Sequence, residues 1–383
     1  MATAMQSLPA LPVKHQDFIK YVQSNQDKPI EELVQPYNEY DSALRKAFAQ
    51  EPSNPALQDN HINLVPLYNE NGSSNVQVRA RDLGSESPEL KEKYLVPLKD
   101  QDRRPTGSPA VVPSLEEFQK NFTIFSEGAL SDMDWSNVVV AGSAVLTSLL
   151  PVPEKYRGSK RSLRKYYHEK FAPASDVDLF LYGLTDEQAV EKIKQIESSI
   201  KNAILWETTT IRTKNTITIA SQYPTRHVQI VLRIYKSIAE VLTGFDVDCS
   251  CAAYDGKQIY LSPRALAACI TQVNRIDLTR RSPSYENRLS KYSHRGFEVF
   301  WPPLDRSKID PVCPITILSS LRWYLFSDCV SSRQFLREAS RGQLVLLAYW
   351  FLKSFPNPVI GIGTSCKGGR SVVDLSPMHS LEE

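Results

Sequence analysis

The sequence has no apolar run long enough to cross a bilayer. Its longest, Leu344 to Leu352 (LVLLAYWFL), falls far short of the ~20 residues a spanning helix needs. No basic segment followed by an apolar stretch opens the chain, so no secretory signal is expected. Nor is the opening Arg-rich and acid-poor, as an organelle presequence would be. Cysteine is scarce: Cys249, Cys251, Cys269, Cys313, Cys329 and Cys366. No C-x-x-C pair occurs, and the C-x-C at 249–251 is not a zinc-knuckle spacing, so free thiols in a reducing cytoplasm are expected. There is no internal repeat of useful period. The glycine-rich stretch at 361–369 lacks the order G-x-x-x-x-G-K-[ST] of a phosphate-binding loop and carries no nucleotide role.

What is present is ordinary for a folded protein. Of 383 residues, 42% are apolar and 23% charged, enough to bury a core and too many apolar groups for disorder throughout. The length fits two or three structural units. A net charge of +2 conceals an asymmetry: residues 1–130 hold 13 Lys/Arg against 18 Asp/Glu, and the remainder carries the excess of positive charge. A basic body behind an acidic head suggests a polyanionic partner.

The pattern along the chain predicts an α/β protein in four parts. Residues 1–130 read as a helical N-terminal extension followed by a long irregular connection, with helix over 14–50 broken near Pro29 and Pro36. Ser114-Leu-Glu-Glu117 opens a capped helix carrying Phe118, Phe122 and Phe125. Residues 131–262 alternate strands and helices into a mixed-sheet core, with strands at VVVA, DVDLFLY, TITIAS, HVQIVLRIY and FDVDCSCAAYDGKQIYL. Residues 263–354 read as a helical C-terminal domain, with helices at 263–272, 284–293, 314–327 and 333–354, and 355–383 as a tail.

Three elements carry chemistry. Gly142-Ser143 follows a buried strand and opens a helix, leaving free amides and a hydroxyl for a phosphate or carboxylate, although taken alone the pair reads more simply as a tight turn. Asp176 and Asp178, at i and i+2 on a strand, share one face while Val177 and Leu179 face the core. Adjacent carboxylates repel unless a cation lies between them, and Mg2+ is typically held by one or two carboxylates with substrate phosphates. Asp246 and Asp248 repeat the spacing on a second expected strand and offer a third carboxylate.

Two basic runs flank these acids. Residues 154–170 hold seven Lys/Arg, among them Lys160, Arg161, Arg164 and Lys165, interleaved with Tyr156, Tyr166 and Tyr167. The run from Arg275 to Arg306 includes Arg280, Arg281, Arg288, Lys291 and Arg295. Cations neutralise phosphates and aromatics stack on bases, so two such runs around an acidic site favour an RNA or nucleotide-bearing substrate. Each run alone reads more simply as a solvated helix face. His227 reads as structural and His294 as a phosphate contact.

The order apolar-Gly-Ser, helix, apolar-flanked Asp-x-Asp, later carboxylate resembles the nucleotidyltransferase superfamily of the DNA polymerase beta type over about 135–260. That resemblance implies a triphosphate at Gly142 and Ser143 and Mg2+ on Asp176, Asp178 and Asp246 or Asp248. The 32 residues between Ser143 and Asp176 depart from the family's short connection. The strings SDVDLFLYGLT, RHVQIVLRIYKS, GFDVDCSCAAYDG and DLTRRSPSYENRLSKYSHRGFEVFWP further resemble the core of fungal ankyrin-type proteins, without ankyrin repeats. A stand-alone chain of this kind resembles the fungal arginine-containing cyclodipeptide synthases. This resemblance implies a cytoplasmic aminoacyltransferase that takes arginyl-tRNA and a second aminoacyl-tRNA, forms a diketopiperazine and needs no cofactor. Gly142 and the basic runs would bind substrate. Ser143 is then the nucleophile, with Cys249 and Cys251 as alternatives, and Asp176 and Asp178 bind the guanidinium or an amine. The rival readings are an Mg2+-dependent nucleotidyltransferase and a non-catalytic RNA-binding protein.

Overall fold

The computed structural model describes residues 7–308. The expected helices at 314–327 and 333–354, the tail, and Cys313, Cys329 and Cys366 lie outside them. The chain opens with α1 (Phe18–Ser24) and α2 (Ile30–Gln50), which bury Phe18, Leu33, Tyr37 and Leu44. The break falls at residues 25–29, but α2 runs straight through Pro36. Proline removes a single backbone bond there, to the carbonyl of the exposed Glu32, and the apolar stripe on either side stays buried.

The connection that follows carries β1 (Val65–Pro66), α3 (Pro88–Glu92) and β2 (Tyr94–Val96). It packs closely: Val76, Val78, Ala110, Val111 and Val112 join the main core. Helix α4 (Leu115–Phe125) starts where its cap predicts, with Ser114 Oγ accepting from the Glu117 amide at 3.1 Å.

The core then unrolls as β3 (Val138–Ala141), α5 (Ser143–Leu149), α6 (Lys160–Lys165), a π-helical turn (Tyr166–Phe171), β4 (Val177–Tyr182), α7 (Asp186–Ala203), β5 (Thr208–Arg212), β6 (Thr216–Ser221), β7 (Val228–Tyr235) and α8 (Ile238–Thr243). It closes with β8 (Ala252–Tyr254), β9 (Ile259–Leu261), α9 (Pro263–Thr271), β10 (Val273–Arg275), α10 (Tyr285–Ser293) and β11 (Glu298–Phe300). Eight strands form one mixed sheet in the order β1-β9-β8-β3-β4-β7-β6-β5, the α/β fold expected. Strand β3 is buried on both faces, so its sequence is continuously apolar. The Thr-rich β5 forms the exposed edge. Within this sheet only β4 and β7 run parallel, with α7, β5 and β6 supplying the crossover. A second sheet, β10-β11-β2, joins the connection to the C-terminal side of the core.

The Asp255-Gly256 hairpin forms between β8 and β9 as expected. Gly256 has φ +89°, and a Cβ there would meet Trp135 at 2.3 Å. Residues 245–251, by contrast, are not strand. They make a bend and a 3-10 turn over Asp248–Ser250, and extended structure begins only at Ala252. In this bend Asp246 pairs with Arg288 and Asp248 with Arg264, so the two side chains do not line one strand face.

Candidate functional site

Gly142 turns the chain from β3 into α5. Its φ of +84° is open to glycine, and a Cβ would press on the Phe245 ring at 3.3 Å. The antiparallel register of β3 and β4 then brings Ser143 to the start of β4, and Ser143 Oγ lies 2.8 Å from Ser175 Oγ. Asp176 stands just before β4 and Asp178 on it. The parallel register places Gln229 of β7 beside Asp178, and its Nε2 donates to Asp176 at 2.9 Å. His227 Nδ1 sits 4.0 Å from Asp176.

Helix α10 crosses this cluster. Arg288, Lys291 and the following Arg295 recur at i, i+3 and i+7, hence on one face. Arg288 holds Asp246 through two nitrogens. Arg295 donates from Nη1 to Ser143 Oγ at 2.6 Å and Thr147 Oγ1 at 3.1 Å. Among the described residues Lys291 makes no ion pair, yet Asp178 and Asp176 act on it electrostatically. Burial first, then Arg295, holds its ammonium down at about 8, against the pull of those carboxylates. Asp178 accepts no hydrogen bond from the described residues. Burial, then repulsion from Asp176, pushes its carboxyl up to about 6, with Lys291 opposing. The site is thus a pair of carboxylates and a pair of cations around two seryl hydroxyls.

The structure separates several residues that the sequence grouped. Asp246 is buried under Arg288 and Ser282 Oγ at 2.8 Å. Asp248 pairs with Arg264 at 3.0 Å and accepts from the Arg275 amide at 2.9 Å. With its acceptor oxygens taken, neither is a free third carboxylate. Among the described residues no group of three or more His, Cys, Asp or Glu is arranged to hold a metal ion. Gln229 stands on the strand beside Asp178 instead. The second basic run is no solvated RNA face either. Arg280 is buried against Asp41, and Arg281 pairs with Glu286 at 2.6 Å. In the first run Lys160, Arg161 and Lys165 are exposed on α6, but Arg164 pairs with Glu127. Tyr166 and Tyr167 are buried in the core rather than free to stack on bases.

No nucleophile stands ready. Ser143 Oγ neighbours a serine and an arginine, neither of them a base. The Cys249 and Cys251 thiols are fully buried, which pushes Cys251 up to about 12 and Cys249 well above its ordinary value. The i, i+4 spacing of Lys291 and Arg295 was a readable sign that both serve one site. Nothing in the sequence marked Gln229 or Ser175.

Residues 116–272 match the Gabija anti-defense 2 family. The match spans Gly142, Ser143, Asp176, Asp178 and Gln229 but stops before Lys291 and Arg295. An uncharacterized protein of Acanthamoeba polyphaga mimivirus is 32% identical over 211 residues, covering 51% of this chain and 42% of the viral one. The chain therefore spans less than half the length of that curated relative. These likenesses overturn the expected fungal cyclodipeptide synthase, its arginyl-tRNA and second aminoacyl-tRNA partners, and the diketopiperazine product. Among the described residues no helix is long and apolar enough to cross a membrane.

Proposed function

We propose that the chain is a counter-defence protein that disarms a Gabija system in the cytoplasm by nucleotidyl transfer at the Ser143, Asp176 and Asp178 site. The counter-defence half rests on the likeness to the Gabija anti-defense 2 family. The chemical half rests on one observation: among the described residues Asp178, half-buried beside Asp176, has no hydrogen-bonding partner, and Lys291, which acts on both electrostatically, has no ion pair. Such a carboxylate pair fits one hard cation, and Mg2+ held there would balance the charge of the two acids and let a substrate phosphate approach them. The protein's own groups do the rest. Lys291 and Arg295 meet the triphosphate's negative charge, and Gln229 fixes the Asp176 carboxylate through its amide. The α-phosphorus forms a bond to an acceptor hydroxyl oxygen, whose proton passes to water; the α–β bridge breaks, and pyrophosphate leaves. With two carboxylates rather than three, the site supports a one-cation arrangement.

Co-expression with a Gabija system in a bacterial host, challenged by a phage that the system blocks, tests both halves. Wild type restores plaques and Asp178→Asn does not. Rescue by both sinks the chemistry, and rescue by neither sinks the counter-defence role. Purified chain with Mg2+ and labelled nucleoside triphosphates reads the transfer directly.

A further inference from the structure

A second cavity, of about 690 Å³, opens on the other side of Arg295 from Ser143. It is built by three stretches distant in sequence: 96–102, the insertion from Pro153 to Phe171, and the end of α10 with the residues just after it. None of Gly142, Asp176 or Asp178 lines it. Its volume lies in the range of small-molecule sites, roughly 300–1,000 Å³.

Two features of the lining point to one chemistry. The first is charge: Lys99, Lys155 and Lys170 are exposed at the rim, Arg295 lies at the base, and Asp102 is the one lining carboxylate. Arg295 is nine-tenths buried and has no carboxylate partner among the described residues, since its Nη1 spends its protons on the hydroxyls of Ser143 and Thr147. A guanidinium desolvated without an anion is costly, and burial holds its pKa below the usual arginine range. The second is an aromatic wall. Tyr156 and Tyr166 have centroids 5.0 Å apart, and Tyr166 and Phe171 stack at 5.0 Å with planes 15° apart. Tyr156 and Phe171 are only half-buried, so the wall keeps open ring surface at both ends.

We propose that this cavity binds a free nucleotide, its base against Tyr156 and Phe171 and its phosphates on Lys99, Lys155, Lys170 and Arg295. The assignment rests on the nucleotide chemistry proposed above and adds a second ligand to it. Arg295 lines the cavity and also donates to Ser143, so this nucleotide would contact the site through one shared side chain. The basic and aromatic interleaving of residues 154–170 thus serves a pocket rather than a nucleic-acid surface.

The test is calorimetric titration of the full chain in EDTA with each of the four ribonucleoside triphosphates and, separately, inorganic phosphate. At least one nucleotide is expected to bind at least tenfold more tightly than phosphate. Lys170→Glu, at an exposed residue, and Tyr156→Ala, at a half-buried ring on the edge of the core, should each weaken that binding about tenfold or more while circular dichroism stays unchanged. Asp178→Asn should bind as wild type does. Equal affinity for phosphate, no binding at millimolar nucleotide, or wild-type binding by both cavity variants would overturn the assignment. Binding lost in Asp178→Asn alone would also overturn it, placing the ligand at the carboxylates. Transfer is read separately with Mg2+, so an inactive protein that still binds in EDTA fails the first proposal and keeps this one.

Discussion

Replacing Asp178 by asparagine should stabilise the protein, and the gain should depend on pH. The carboxyl is lifted from an ordinary 3.8 to about 6 by burial and by Asp176. Between those values the folded chain binds more protons than the unfolded chain. By linkage, wild-type stability then falls as pH rises through that window and stays lower above it. Asparagine carries no such charge. Each pKa unit is worth 1.36 kcal/mol, so the ceiling is ~3 kcal/mol; partial solvation and the lost attraction to Lys291 reduce the expected gain to ~1–2 kcal/mol. Urea unfolding in EDTA at pH 4, 5, 6, 7 and 8 measures it. The variant should match wild type at pH 4, gain through pH 6, and hold a constant advantage above. A variant less stable at pH 8, or a gain independent of pH, refutes the picture of an unpaired carboxylate. Adding Mg2+ should then stabilise wild type and leave the variant unmoved.

Other outcomes follow from single contacts. Gly142→Ala should cost about 1–3 kcal/mol and abolish plaque rescue, because φ +84° and the Phe245 ring both oppose a Cβ; unchanged stability would contradict the turn. Asp41→Ala should lose about 3–5 kcal/mol in urea titration by leaving Arg280 charged and buried, whereas Arg164→Ala, at an exposed pair, should lose under ~1 kcal/mol. Cys251→Ala should leave phage rescue intact, and the thiol should resist alkylation until the protein unfolds; rapid labelling of the native chain would show it accessible.

Much of the fold was legible because its signals are local. The cap at Ser114, the turn at Asp255-Gly256, the apolar β3 and the period-two Asp176 and Asp178 each depend on neighbours a few residues away. The helices expected at 263–272 and 284–293 appear as α9 and α10 for the same reason. What failed was pairing at a distance. A carboxylate at 246 or 248 looks free until Arg288 and Arg264 claim it, and a run of arginines looks solvated until Asp41, Glu286 and Asp246 do. The resemblance to cyclodipeptide synthases rested on strings that mark the fold's strands and turns more than its chemistry, and a fold hosts many chemistries.

The sequence by itself determined the α/β class, the glycine turn into α5 and the pairing of Asp178 on β4 with Asp176 at its entrance, since backbone stereochemistry and period-two alternation are properties of the local chain. Tertiary structure alone decided that Gln229, not an acid, stands beside Asp178, and that Lys291 and Arg295 turn inward to it and to Ser143. Charge at a distance is settled by which partners the packed sheet and α10 bring within a few ångströms, and the order of residues along the chain does not encode that separation directly.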